Sequence, residues 1–441
     1  MKQSEKLGTE EIPKLLFQMA VPASVGILVM SIYMIVDTIF VGQFVGAMGI
    51  AAITVVLPIN FLIASIGMSI GIGGSSVISR ALGANDRNHA FQTFGNQITL
   101  TILVSTLVIF GGSFFQEEIL KLFGGNGPIL QPAKDYFGIL LYGIPFLAWA
   151  MMSNNVVRAE GRPKIAMNIM LIPAIVNLIL DPIFIVWLDW GIQGAAWATV
   201  ISYIFSATFG AWFFFFGGSE LKIKLSDLVL KFNIVKEIFA IGIVSLARQG
   251  TISLLSIVLN NSLFIYGGAF SVSIYGIINR MMMFANFPVS GITHGFLPIA
   301  GFNYGAGKMD RVKEVIRVSL KVGTGLAIII FIALIVFAPQ IASVFTNDAD
   351  LVAQTAPALR ICFMATPLIV FQLISSAYFQ AIGQAVPALL LTLTKQGFFL
   401  IPLVLLLPIW FGLEGIWYSF PIADVSAAAV CYWWLRRKVS L

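Results

Sequence analysis

The sequence predicts an all-α polytopic membrane protein: twelve transmembrane helices in two six-helix bundles, related by a pseudo-two-fold axis along the membrane normal. Three observations predict it. Hydrophobic residues make up 59% of the chain and charged residues 10%, where a soluble domain carries about 25% charged residues. Apolar runs long enough to cross a bilayer recur twelve times between short polar loops. The chain also repeats itself at a spacing of 222 residues.

The first six runs lie near 14–42, 49–80, 91–112, 131–157, 164–187 and 191–216. The second six lie near 235–266, 271–301, 314–338, 351–382, 384–409 and 412–435. Several exceed the roughly 20 residues a crossing needs, so those helices tilt or extend beyond the bilayer. The opening segment, MKQSEKLGTEEIPK, is too polar for a secretory signal, so the first run is expected in the mature protein. Basic residues collect in alternate loops: Arg80 and Arg87; Arg158, Arg162 and Lys164; Lys222 to Lys236; Lys308 to Lys321; and the tail Arg436, Arg437 and Lys438. The opposite loops offer mainly Lys121 and Lys134. Basic loops stay inside, which puts both termini in the cytoplasm. The net charge of +6 therefore reads as topology, and no nucleic-acid partner is expected.

The repeat shows in short matches. Lys14-Leu-Leu-Phe17 pairs with Lys236-Glu-Ile-Phe239, Leu82-Gly-Ala84 with Tyr304-Gly-Ala306, and Ala159-Glu-Gly161 with Ala381-Ile-Gly383. Gly191-Ile-Gln-Gly194 and Gly412-Leu-Glu-Gly415 fall one residue off that spacing. Six spans per repeat give the halves the same orientation. The predicted organisation is an N-terminal bundle over 1–216, a cytoplasmic linker over 217–234 and a C-terminal bundle over 235–441.

Between Leu15 and Gly46, Asp37 is the only charged residue, and Asp181 lies inside a later span, followed at once by Pro182. A carboxylate at membrane depth costs several kcal/mol unless it faces a polar cavity, so each marks a functional site. Shifted by 222, Asp37 lands on Leu259 and Asp181 on Leu403. The acids belong to the first half alone, as chemistry rather than scaffold would. Tyr33 shares a helical face with Asp37, and Asn177 with Asp181. Pro182 leaves the Leu178 carbonyl without its helical donor, and Pro173 loosens the same helix. Asp37, Asn177, Asp181 and Thr199 would form an all-oxygen cluster, suited to a sodium ion or, because two close carboxylates cannot both ionise cheaply, to a proton. This pattern reads as an ion-coupled transporter.

The remaining features are less pointed. Met151, Met152 and Met281 to Met283 could line an adaptable cavity, although such residues more often pack or face lipid. Arg248, Arg280 and Lys395 fall within or near second-half spans, with Asp424 a possible partner for one of them. Cys362 and Cys431 suggest neither disulfide nor metal framework. There is no P-loop, no His-Glu-x-x-His and no Gly-x-Ser-x-Gly, so no catalytic residue and no cofactor is expected. Gly71-Ile-Gly-Gly74 lies inside a span, where small residues permit close helix packing.

Taken together, Pro22, Val36-Asp37-Thr38, Gly83-Ala84, Arg158-Ala-Glu-Gly161-Arg162-Pro163, Asn177-x-x-x-Asp181-Pro182 and Gly194-Ala-Ala196 make the chain resemble the multidrug and toxic compound extrusion (MATE) family. The resemblance covers essentially the whole length. It implies two six-helix bundles forming a V around a central cavity. It implies a cation site at Asp37, Asn177, Asp181 and Thr199, supported by Tyr33 and Asn154, with Pro22 and Pro182 as points where helices rearrange. A substrate cavity near Met151, Met281 and Arg280 is the accompanying expectation. The implied activity is export of amphipathic, often cationic drugs or toxic organic cations in exchange for H+ or Na+. The implied setting is a prokaryotic cytoplasmic membrane, with lipid as neighbour and the monomer as the working form. Leu259 places the chain outside the branch that carries acids in its second bundle. The alternative is a lipid-linked oligosaccharide flippase of the same superfamily, for which Arg248, Arg280 and Lys395 would supply basic character.

Overall fold

The computed structural model describes residues 3–345 and 348–439. Among them, ten helices are long and apolar enough to cross a membrane. One of these, Phe232–Gly305, is broken at Gly268, whose φ of 65° no helix can hold. The last long helix, Pro408–Val439, breaks likewise at Gly412. Divided so, the helices number twelve. They are α1 Ile12–Phe44, α2 Ala47–Gly83, α3 Arg87–Phe114, α4 Leu130–Ala159, α5 Pro163–Trp187 and α6 Gly191–Phe215. Then follow α7 over 232–267, α8 over 269–305, α9 Met309–Val336, α10 Ala349–Ala381, α11 Ala385–Leu406 and α12 over 413–439. Apolar side chains such as Leu107, Ile265 and Ile329 stand exposed, a defect in water and ordinary in lipid.

The ends of these helices repeat in detail. Left-handed residues fall at Gly46 and Gly268, Asn85 and Gly307, and Gly161 and Gly383, each pair 222 apart, and at Gly191 and Gly412. A residue with positive φ stops a helix and turns the chain, and glycine or asparagine pays least strain there. The repeat read from short sequence matches is thus a repeat of turn geometry. A further pair of bonds obeys the same offset: Asn154 Nδ2 donates to Ala166 O at 2.6 Å, and Ser376 Oγ donates to Ala388 O at 3.2 Å.

Two compact units result. Unit one gathers the described residues of 1–9, 25–245 and 305–307, and unit two those of 10–24, 246–304 and 308–441. The division passes through α1 at Ser24 and Val25. In unit one, Phe94, Met152, Ile169, Phe213 and Ile238 centre one buried cluster, and Val56, Leu120, Phe137 and Ile185 another. In unit two, Leu259, Leu263, Leu359, Ile416 and Phe420 centre the core. Leu259 is fully buried there and Leu403 packs against the same cluster, so the positions matching the two acids are apolar core.

The glycine stripe of α2 is a packing device. A Cβ on Gly73 would sit 2.1 Å from the Ile238 carbonyl oxygen, and one on Gly74 would sit 2.0 Å from Gln97 Cδ. No side chain fits where the helices approach this closely.

The end of unit one is tied by buried polar groups. Glu160, fully buried after α4, accepts through Oε1 from Ser219 Oγ at 2.5 Å, Glu220 N–H at 3.0 Å and Leu221 N–H at 3.1 Å. Glu220 in turn accepts from the Ser4 hydroxyl at 2.6 Å and its N–H at 2.9 Å. Burial pushes the Glu160 carboxyl up to about 7, against the lowering effect of these bonds. The proton has a place to go, because Oε2 is buried without a partner.

Candidate ion-coupling site in the first unit

α5 supplies the core of the site. Asn177 and Asp181 are four residues apart on one face, and both are buried. Pro182 has no amide hydrogen, and at that residue the α-helix gives way to a π-helix over Pro182–Trp187. The looser winding continues to Leu188, whose N–H reaches the Ile183 carbonyl at 2.9 Å, five residues back. Prolines and π segments let a spanning helix change course without stranding its backbone.

The side chains converge across five helices. With its amide turned to satisfy both ends, Asn177 donates from Nδ2 to Asp181 Oδ2 at 2.6 Å and accepts at Oδ1 from the Thr199 N–H of α6 at 3.3 Å. The Asp37 carboxyl of α1 lies within hydrogen-bonding reach of Asp181. Tyr33, one turn before Asp37, is close enough to interact electrostatically with Asp37 and Asp181. The Thr199 hydroxyl donates to Ala195 O at 3.0 Å. The Tyr136 side chain of α4 lies beside the Thr199 hydroxyl. Tyr203 of α6 interacts with Asp37 and accepts from Asn60 Nδ2 of α2 at 3.5 Å.

This arrangement restricts the chemistry. A contact between two carboxyl groups needs something positive between them: a proton on one oxygen, or a cation shared by both. Asp37 Oδ1 is buried and has no hydrogen-bond partner, which is an acceptor held ready. The nearby oxygens of Asp181, Asn177 and Thr199 suit a hard monovalent cation equally. Among the described residues no three acids, histidines or cysteines converge as a metal site.

The other residues named from sequence lie elsewhere. Asn154 spends its amide hydrogen on the Ala166 carbonyl, holding α4 to α5. Pro22 lies within α1, which runs unbroken through it. Met151 is half-buried on α4. Met281 packs against the core of unit two. Arg280 is exposed and sits over the Phe345 ring at 6.0 Å. Lys395 pairs with Asp424 at 2.5 Å. Tyr136, Tyr203 and Asn60 were not singled out by the sequence reading. Each is one polar residue among several in its span, and only the approach of the two tyrosines to Asp37, with Asn60 bonded to Tyr203, distinguishes them from packing residues.

A family model described as MatE matches residues 22–183 and 243–406. This chain belongs to the MatE family. The two matched stretches are themselves offset by about the repeat distance, so the MatE pattern occurs once per half. The chain is 28% identical over 447 residues to the multidrug export protein MepA of Staphylococcus aureus (strain MSSA476), covering 100% of this chain and 98% of MepA. Its fold matches the crystal structure of MATE in complex with MaL6, with a TM-score of 0.94 at 25% identity, covering 100% of this chain and 99% of the other. It also matches the outward-facing conformation of a multidrug resistance MATE family transporter of the MOP superfamily, with a TM-score of 0.93 at 26% identity, covering 99% of this chain and 97% of the other. As a MatE member with these helices, the chain is a multi-pass membrane transporter.

Proposed function

We propose that this MatE chain is a secondary active multidrug efflux transporter, exporting amphipathic, often cationic compounds in exchange for H+ or Na+. One observation carries the coupling reading: the Asp37 and Asp181 carboxyl groups meet beside Asn177 and Thr199, with Asp37 Oδ1 left unpartnered. A site that needs a positive charge to hold itself together is the simplest form of cation coupling. The MepA relative supports the multidrug cargo. The alternating basic loops support a cytoplasmic membrane with both termini inside.

In this mechanism the cation enters at Asp37 and Asp181 and neutralises the pair. The helices that carry them, α1 and α5, then adopt the arrangement that releases drug outward. Loss of the cation to the other side resets them. Drug and cation are coupled because each binds the two arrangements with different affinity. Asp37 and Asp181 hold the ion, Asn177 orients Asp181, and Thr199 and Tyr136 fix the opposite edge. The flippase alternative asks for a basic cluster. Pairing of Lys395 with Asp424, and of Arg280 with a ring, weighs against it.

The test is drug efflux from proteoliposomes with sodium and proton gradients imposed separately. Efflux driven by one gradient and lost in Asp37→Asn is expected. Wild-type rates in that variant, or efflux indifferent to both gradients, would overturn the coupling site.

A further inference from the structure

Unit two holds a second polar feature that cation coupling does not use. Arg248 lies midway along α7, far from either end of the helix. It opens onto a cavity of about 70 Å3, lined otherwise by Gln372, Leu373 and Ser376 of α10 and Thr392 and Gln396 of α11. No carboxylate lines this cavity, and Arg248 makes no ion pair or hydrogen bond among the described residues. The nearest cation in sequence to the lining, Lys395, is already neutralised by Asp424. The cavity therefore carries one uncompensated positive charge. A guanidinium at membrane depth is retained only where something polar or anionic answers it.

The hydrogen-bond inventory narrows what can answer. Gln372 Nε2 donates to the carbonyls of Leu391 at 3.2 Å and Thr392 at 3.1 Å, so only its Oε1 is free. Ser376 gives its hydrogen to Ala388 O, so in the close Ser376–Thr392 hydroxyl contact Thr392 is the donor. Thr392 then offers lone pairs only. The free donors are the Arg248 fork and the Gln396 amide. One wall gives hydrogens and carries the charge; the other accepts.

We propose that this cavity binds a compact oxyanion head group that also bears a hydrogen: a carboxylate with a neighbouring hydroxyl or amine, or a singly protonated phosphate monoester. Its anionic oxygens lie on Arg248 and Gln396, and its hydrogen points to Thr392 and Gln372. The volume admits one head group, so the remainder of the molecule lies outside the cavity. Such a group has two sources, an amphiphile carried by the transporter or a membrane phospholipid. Only the first rests on the efflux reading.

Equilibrium binding to the purified full chain in neutral detergent tests it with two matched pairs: mandelate against its methyl ester, and dihexanoyl phosphatidic acid against dihexanoyl phosphatidylcholine. At least one anion should bind the wild type more tightly than its partner. Arg248→Gln should weaken that anion about tenfold or more and leave the neutral partner unchanged, with Arg248→Lys in between. Preference for mandelate assigns the site to cargo; preference for phosphatidic acid assigns it to lipid. Equal binding of both members of both pairs to the wild type overturns the proposal without any variant. So does anion affinity unchanged in a normally eluting Arg248→Gln protein. If that variant fails to fold, Gln396→Leu removes the other donor and should weaken the anion several-fold; no change there counts against the site. Anion binding without gradient-driven export would sink the efflux reading and leave this site standing. Export without charge-selective binding would do the reverse.

Discussion

The two halves share turns, repeat spacing and helix bonds, yet they treat charge in opposite ways. In unit one, two acids meet, and among the described residues neither forms an ion pair with a basic side chain. In unit two, the buried acid Asp424 faces Lys395 at 2.5 Å, and the positions matching Asp37 and Asp181 are Leu259 and Leu403. Both charged sites adjoin π-helical segments, Pro182–Trp187 and Thr394–Leu400. The lesson concerns where a counter-charge comes from. A lysine is a cation fixed by a covalent stem, so its acid is satisfied whatever the gradient. A pair of acids has no such tenant, and in the proposed mechanism it takes its positive charge from outside, which is what a gradient would drive.

The comparison can be broken most sharply by removing charge from each half in turn. Asp37→Asn and Asp181→Asn should each bring gradient-driven efflux to background in proteoliposomes while the protein remains folded in the membrane. Asp424→Asn paired with Lys395→Met should retain gradient dependence. If the second-half variant lost coupling and the first-half variants kept it, the contrast would be reversed.

A stability effect of a few kcal/mol should follow from breaking the second-half pair unevenly. Lys395→Met strands Asp424 and should destabilise by about 3–5 kcal/mol, whereas Lys395→Met with Asp424→Leu should recover most of that loss. A thermal double-mutant cycle measures the difference, and additive single effects would argue against a buried pair.

Next comes pH. Glu160 has Ile382 as its counterpart in the second half, so only the first half titrates there. Its folded carboxyl is raised to about 7 from an ordinary 4.5, so the folded protein keeps a proton that the unfolded chain gives up. The resulting stability is complete below about pH 4.5 and is lost as pH rises through 7, at most about 3 kcal/mol over that window. Melting curves for wild type and Glu160→Gln should differ in slope across that window, with the glutamine variant flat.

The smallest effects belong to the turns. Gly383→Ala forces a side chain into φ 81° and should cost about 1 kcal/mol. Asn85→Gly, at φ 59°, should change stability by only a few tenths, because asparagine already tolerates that conformation. Equal costs at both positions would mean that the left-handed backbone is not what sets the cost at these turns.

Much of this was legible in the sequence, for identifiable reasons. The spans follow from apolar length, and the repeat from residues at turns, where glycine has few substitutes. Asn177 and Asp181 could be placed on one face because helical spacing is local. The limits are equally physical. Gly268 looked like any glycine between two apolar runs, and the structure gives it the sharp turn between α7 and α8. Asp424 was open to three cations in the sequence, and only tertiary packing gives it to Lys395. Tyr136 and Tyr203 belong to no local pattern; their meaning depends on five helices arriving together. Arg248 was one of three unassigned bases until the structure paired or covered the other two.

The Lys395–Asp424 pair also bears on how the chain is made. Residues 413–439 are not among the ten helices apolar enough to span by composition. The last helix thus enters the bilayer with a weak claim of its own and an acid to hide. The ammonium waiting on α11 would hold it there, so biogenesis of the final hairpin should proceed as one cooperative event. Translation halted before residue 413 would strand Lys395 without its acid.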